Sequence, residues 1–255
     1  MRGRFMARLT NGFDRLFDAA LALVYPQACA ACGVREVGQR ADWPACGACW
    51  AATRLFTGEE TLCWKCGRPA GGEVPDEIRP TVRCRRCDAE EFTAARACGL
   101  YEGALRAAVL GLKRDPFVPP RLAHMLREAA RRAPLDAATL VVPVPLHPAR
   151  ERERGFNQAT LLASAVAEGA GLPLDTRSLT RPSHSERHRA GLDARARRES
   201  VEGAFAAARP RLVRGARVLL VDDVFTTGAT ASACAAALKA AGAPEVYVLT
   251  AARAV

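Results

Sequence analysis

VLLVDDVFTTGAT, from Val218 to Thr230, holds an apolar strand, an acidic pair and the entrance to a helix. Val218 to Val221 are four consecutive apolar residues, the mark of a short parallel strand buried on both faces. Asp222 and Asp223 stand where that strand is expected to end. The loop Phe225-Thr226-Thr227-Gly228-Ala229-Thr230 then leads into ASACAAALKAAG, a helix-forming run closed by Gly242. Backbone N–H groups at a helix entrance, with a glycine and small hydroxyl side chains beside them, suit a terminal phosphate. Adjacent carboxylates suit the vicinal hydroxyls of a ribose or a bound divalent cation.

On either side of this stretch, strands and helices alternate. EVYVLTAARA reads as a strand after the helix, and VEGAFAA as one before it. Further upstream, Leu140 to Val144 form an apolar strand stopped by Pro145. A basic loop, Leu146 to Arg154, follows it, carrying His147, Arg150, Arg152 and Arg154. Asn157 then caps a helix. Earlier still, ACGLYEG reads as a strand and ALRAAVLGLK as a helix ending in Lys113. The chain has 34 Arg and only 3 Lys, so an ammonium at a helix end is a notable choice there. PPRLAHMLREAARRA is a second amphipathic helix, opened by Pro119 and Pro120, with His124 in a packing or surface position. Short connections between alternating elements predict an α/β fold with a doubly wound, mainly parallel sheet. In such a sheet ligands bind beyond the carboxyl ends of the strands, which places Asp223 and the Leu146 to Arg154 segment side by side. Between Arg177 and Ser200, seven arginines face three acids, in a run suited either to closing over a polyphosphate or to a solvated surface.

Hydrophobic residues at 49% and charged residues at 25% are ordinary for a globular protein. A net charge of +10 favours an anionic partner, although Arg- and Ala-rich usage also follows from a GC-rich coding sequence. Eight of the ten cysteines form four C-x2-C pairs: Cys29 and Cys32, Cys46 and Cys49, Cys63 and Cys66, Cys84 and Cys87. That spacing fits two closed, structural Zn2+ sites, paired sequentially or interleaved. Cys98 and Cys234 read as buried small residues. Phe5, Leu9, Phe13, Leu16, Phe17, Leu21 and Val24 form a helical stripe interrupted by charges. It reads as a helix packed on the body of the protein, with peripheral membrane contact as the second reading, and not as a signal peptide. No apolar run approaches the ~20 residues a membrane span needs, and a cytoplasmic location is expected. The organisation predicted is an N-terminal amphipathic helix over 1–25, a double zinc ribbon over 26–91 and an α/β domain over 92–255.

Residues 218–230 resemble the phosphoribosylpyrophosphate (PRPP) motif of type I phosphoribosyltransferases, with bulky Phe225 where that family carries an aliphatic residue. Taken with the paired cysteines and PVPLHPARERERGFNQA, the whole chain after Ala19 resembles the ComF family of competence-associated proteins. The likeness implies PRPP and Mg2+ held by Asp222, Asp223, Thr226, Thr227, Gly228, Ala229 and Thr230. It implies a pyrophosphate loop from Leu146 through His147 to Arg154, joined by Lys113, and a flexible hood around Arg187 and Arg189. Arg189 stands where the family commonly has Gln, and Ser200 where it commonly has Asn. The implied role is in DNA uptake, with single-stranded DNA and other uptake proteins as partners. Two functions follow from the likeness: a Mg2+-dependent phosphoribosyltransferase, or a non-catalytic PRPP-sensing factor that binds single-stranded DNA. The motifs do not choose between them and name no acceptor.

Overall fold

The computed structural model describes residues 27–38, 40–72, 74–182 and 203–255. The helix expected over 1–25 and the hood residues Arg187, Arg189 and Ser200 lie outside the described residues.

Four parallel strands form the central sheet: β1 (Ala94–Ala97), β2 (Leu140–Pro143), β5 (Arg217–Phe225) and β6 (Glu245–Arg253), in the order β1-β6-β5-β2. Leu219 of β5 lies opposite Tyr247 of β6 and Val141 of β2. Alternate residues serve opposite faces, as the strand period of two requires. Val141, Leu219, Val221, Tyr247 and Leu249 pack on one side with the helices Gly103–Gly111, Pro120–Ala130 and Gln158–Ala170. Leu140, Val142, Val218, Leu220, Val246 and Val248 pack on the other side with the helix Ala229–Ala240. Leu219 and Leu220 are fully buried on opposite faces. Truncating either to Ala would cost about 2–5 kcal/mol. The sheet is doubly wound and mainly parallel, as the alternation of elements predicts.

Local assignments differ in four places. β5 runs on through both acids to Phe225, because Asp222, Val224 and Phe225 pair with Thr250, Ala252 and Arg253. The first strand is Ala94–Ala97, three residues before the expected run, and Leu100 makes only an isolated bridge to Arg253. Within the described part of the expected strand VEGAFAA, Ala206–Ala207 form β4, paired antiparallel with β3 (Leu179–Thr180). The expected basic loop is largely the helix Pro148–Arg154. Pro148 occupies its first turn, His147 Nδ1 accepts from the Ala149 N–H, and Gly155 ends it at φ 82°.

The cysteine-rich segment packs onto the sheet with one cysteine group on each face. Cys29 and Cys46 join the core of the three-helix face, beside Trp50 and Leu105. Cys63, Cys66 and Cys87 join the opposite core, beside Phe92, Phe225 and Cys234. Among the described residues, no helix is long and apolar enough to cross a membrane.

Candidate ligand cleft and metal centres

A cleft of about 420 Å³ opens beyond the carboxyl ends of β2 and β5. Asp222, Asp223, Thr226, Thr227, Ala229 and Thr230 line one side of it, and Lys113, Leu146 and Arg154 also border it. Residues from three separate parts of the chain thus meet in one concavity. Gly228 serves as backbone: it is the N-cap of the Ala229–Ala240 helix, at φ 90°. His147 is not among the lining residues, and its Nδ1 caps the Pro148–Arg154 helix.

The acids are held by their own strand and by long-range partners. Asp223 N–H donates to Asp222 Oδ1 at 2.8 Å, and Val224 N–H donates to Asp223 Oδ1 at 2.8 Å. Asp223 Oδ2 lies 3.5 Å from Lys113 Nζ and accepts from Gln158 Nε2 at 3.4 Å. Arg154 Nη1 in turn donates to Gln158 Oε1. A polar chain therefore runs from the basic helix through Gln158 and Asp223 to Lys113. Burial, and then the charge of Asp223, push the Asp222 carboxyl well above its ordinary range. Two carboxyls this close in a concave site suit a cation or the hydroxyls of a sugar.

Gln158 was not singled out in the sequence; Arg181, one of the seven arginines read between Arg177 and Ser200, also lines the cleft. The one available signal for Gln158 was its place four residues after Arg154 and directly after the capping Asn157. That cap is made: Asn157 Oδ1 accepts from Ala159 N–H at 3.0 Å, and Asn157 Nδ2 donates to the Val144 carbonyl at 3.0 Å. The cap thereby fixes the start of the Gln158–Ala170 helix against the end of β2.

Lys113 reaches the cleft from just beyond the Gly103–Gly111 helix. Thr53 Oγ1 accepts from the Ala104 N–H at 3.0 Å and donates to the Cys49 carbonyl at 2.7 Å, tying that helix start to the first cysteine group. The bulk of Phe225 is also accounted for. It is buried against Phe92 with ring centroids 5.7 Å apart, in the core of the sheet face that carries the Ala229–Ala240 helix.

The eight paired cysteines form two sequential groups, Cys29, Cys32, Cys46 and Cys49, and Cys63, Cys66, Cys84 and Cys87. Within each group the sulfurs all lie within 4.8 Å of one another. Four sulfurs at about 2.3 Å from a tetrahedral Zn2+ stand about 3.8 Å apart. Sγ separations are 3.7 Å for Cys29–Cys49, 3.6 Å for Cys63–Cys87, 3.6 Å for Cys66–Cys84 and 3.5 Å for Cys84–Cys87. The N–H of Cys46 points at Cys29 Sγ and that of Cys84 at Cys63 Sγ, at 3.2 and 3.3 Å. Such N–H donors stabilise thiolates, and the donor sets fit two closed structural zinc sites. Cys98 stands apart: burial pushes its thiol up to about 12, which leaves it inert.

Comparison with known proteins agrees with this architecture. Residues 20–99 match the double zinc ribbon domain family. The DNA utilization protein YhgH of Salmonella typhi is 32% identical over 216 residues, covering 81% of this chain and 88% of that protein. The chain belongs to the ComF family. Competence protein F of Haemophilus influenzae is 35% identical over 130 residues, 51% of this chain and 56% of its own. Competence protein ComFC of Bacillus subtilis is 26% identical over 195 residues, 74% of this chain and 75% of its own. Among solved structures, the glutamine PRPP amidotransferase of B. subtilis complexed with ADP and GMP is 23% identical, covering 52% of this chain and 27% of that one. Its TM-score of 0.34 is too low to argue from, and the family assignment rests on the sequence relatives.

Proposed function

We propose that the cleft binds PRPP with Mg2+, and that this ComF-family chain is a phosphoribosyltransferase-like protein serving DNA uptake. The observation that carries this reading is the convergence of three groups on one cleft. These are a helix-entrance loop of threonines, a carboxylate pair, and the Lys113 and Arg154 cations. The loop Thr226 to Thr230 would hold the 5-phosphate with its N–H groups and hydroxyls. Asp222 and Asp223 would orient the ribose hydroxyls, and they are the residues that would hold Mg2+. When bound, the ion would neutralise charge on the pyrophosphate. In transfer, the C1–O bond breaks and its electron pair leaves with pyrophosphate, while an acceptor nitrogen bonds to C1 and sheds a proton. Lys113 and Arg154, both lining the cleft, would supply the cations that developing charge needs. The names of the YhgH and competence relatives support the link to DNA use.

The second reading is a PRPP-sensing factor that binds single-stranded DNA without turnover. Arg150, Arg154 and Arg181 on the wall of one cleft favour it, because a row of guanidiniums suits a polyanion. Titration calorimetry with PRPP and Mg2+ tests both readings together, and absence of binding to zinc-loaded protein would remove both. Incubation with labelled PRPP and a panel of bases and amines then separates them. Acceptor-dependent pyrophosphate release abolished by Asp223→Asn marks the transferase, and binding without release marks the sensor.

A further inference from the structure

Arg253 is an arginine only 6% exposed, at the end of β6. A buried guanidinium needs partners, and both of its terminal nitrogens turn to one residue of the second cysteine group. Nη1 donates to the Cys66 carbonyl, and Nη2 lies 3.8 Å from Cys66 Sγ. The central carbon of the same guanidinium lies over the Phe225 ring, 4.6 Å from its centroid. Phe92 closes another side of that ring, edge to face.

The cleft loop rests on this ring. A Cβ built on Gly228 would meet Phe225 Cζ at 2.9 Å, so the loop backbone lies as close to the ring as a glycine allows. Two further bonds run the same way. Ala254 N–H donates to the Phe225 carbonyl at 2.9 Å, and Glu91 N–H, just past the second cysteine group, donates to Ser232 Oγ at 2.8 Å. The first cysteine group sits in the core of the opposite sheet face, and its link runs through Thr53 to the helix before Lys113.

We infer that Arg253 and Phe225 are positioning residues, which make the shape of the Thr226–Thr230 loop depend on the integrity of the second cysteine site and not of the first. If Cys66 moves, Arg253 loses both acceptors while still buried. The guanidinium must then turn, and the ring under Gly228 loses its support. The ligand consequence rests on the function proposed above, whereas the dependence of the loop on the second site does not.

The test compares three single variants of the full chain with wild type: Arg253→Met, Cys84→Ser in the second site and Cys32→Ser in the first. Amide hydrogen exchange reads the loop directly. Arg253→Met and Cys84→Ser should raise exchange at residues 227–230 by about tenfold or more while the Val218–Val221 amides stay protected. Cys32→Ser should lose one zinc and leave residues 227–230 as in wild type. Loop protection unchanged in Arg253→Met and Cys84→Ser, or lost equally in Cys32→Ser, overturns the inference. If Cys84→Ser fails to fold, Arg253→Met and the milder Phe225→Leu carry the comparison. Calorimetry with ribose 5-phosphate and with pyrophosphate adds a readout that general destabilisation would not split. The first ligand should weaken about tenfold in Arg253→Met and the second should not. Wild-type protein that binds neither would refute the proposed ligand, while the exchange data would still decide the strut.

Discussion

Replacing Gly228 by alanine perturbs the cleft at the point where its backbone is most constrained. Two costs can be read from the geometry. The residue sits at φ 90°, and a side chain in the positive-φ region costs about 1–2 kcal/mol. The new methyl would also stand 2.9 Å from Phe225 Cζ, where carbon atoms prefer about 3.5–4.0 Å. The ring cannot swing away cheaply, because Phe92 and Arg253 hold two of its sides. Overpacking of this kind adds about 1–3 kcal/mol. The sum, about 2–5 kcal/mol, corresponds to a fall in melting temperature of about 4–20 °C for a chain of this size. If the loop relaxes locally instead, its amides lose protection by the equivalent factor. Thermal melts and hydrogen exchange of Gly228→Ala, Phe225→Ala and the double variant form a cycle. Because the ring supplies the steric part, the double variant should be less unstable than the sum of the singles by about 1–3 kcal/mol. A Gly228→Ala protein with unchanged melting and unchanged loop protection would refute the reasoning, as would a coupling near zero.

Four further outcomes follow from the site. Asp222 keeps its proton after an unfolded chain has lost its own, so its folded-state contribution to stability declines as pH rises from about 4. The melting temperature of Asp222→Asn should therefore gain on wild type as pH rises above about 4, and a pH-independent gap would contradict the upward shift of this carboxyl. Exhaustively dialysed protein should hold two zinc ions by elemental analysis, one per four-cysteine group, and Cys46→Ser should hold one. Gln158→Leu removes the link between Arg154 and Asp223 and should weaken PRPP by about tenfold with little change in melting, measured by calorimetry. Single-stranded DNA, followed by anisotropy, should bind with a log–log salt slope of about −0.7 per phosphate neutralised and should weaken when PRPP is present. Independence of the two ligands would move DNA away from Arg150 and Arg154.

Much of this arrangement was legible in the chain because its signals are local. Val218 to Val221 are apolar on both faces of the sheet, and four repeated C-x2-C pairs announce themselves by spacing alone. The Pro148–Arg154 helix was missed for a physical reason. It buries none of its residues, so there was no apolar stripe to find, and alternating Glu and Arg look the same in a solvated loop. Gln158 was hidden differently: its role depends on meeting Asp223, which lies 65 residues away in the chain. Phe225 looked like a departure from a motif. Its explanation lies in Phe92 and Arg253, on two other strands or their flanks, which no reading of residues 218–230 contains.

The position of β6 constrains the order in which the molecule is assembled. It lies between β1 and β5, so the edge strand carrying the cysteine-rich segment has no partner until residues 245–253 have been made. The bond from Val246 N–H to Thr93 Oγ1 spans 153 residues. The cysteine groups close over short loops and can capture metal while most of the chain is still on the ribosome. Throughout that interval the inner edge of β1 stands unpaired, with its N–H and C=O groups open to any extended segment nearby. A nascent chain stalled before residue 245 would thus have finished metal centres beside an unfinished sheet, and it would be the form most exposed to aggregation and proteolysis.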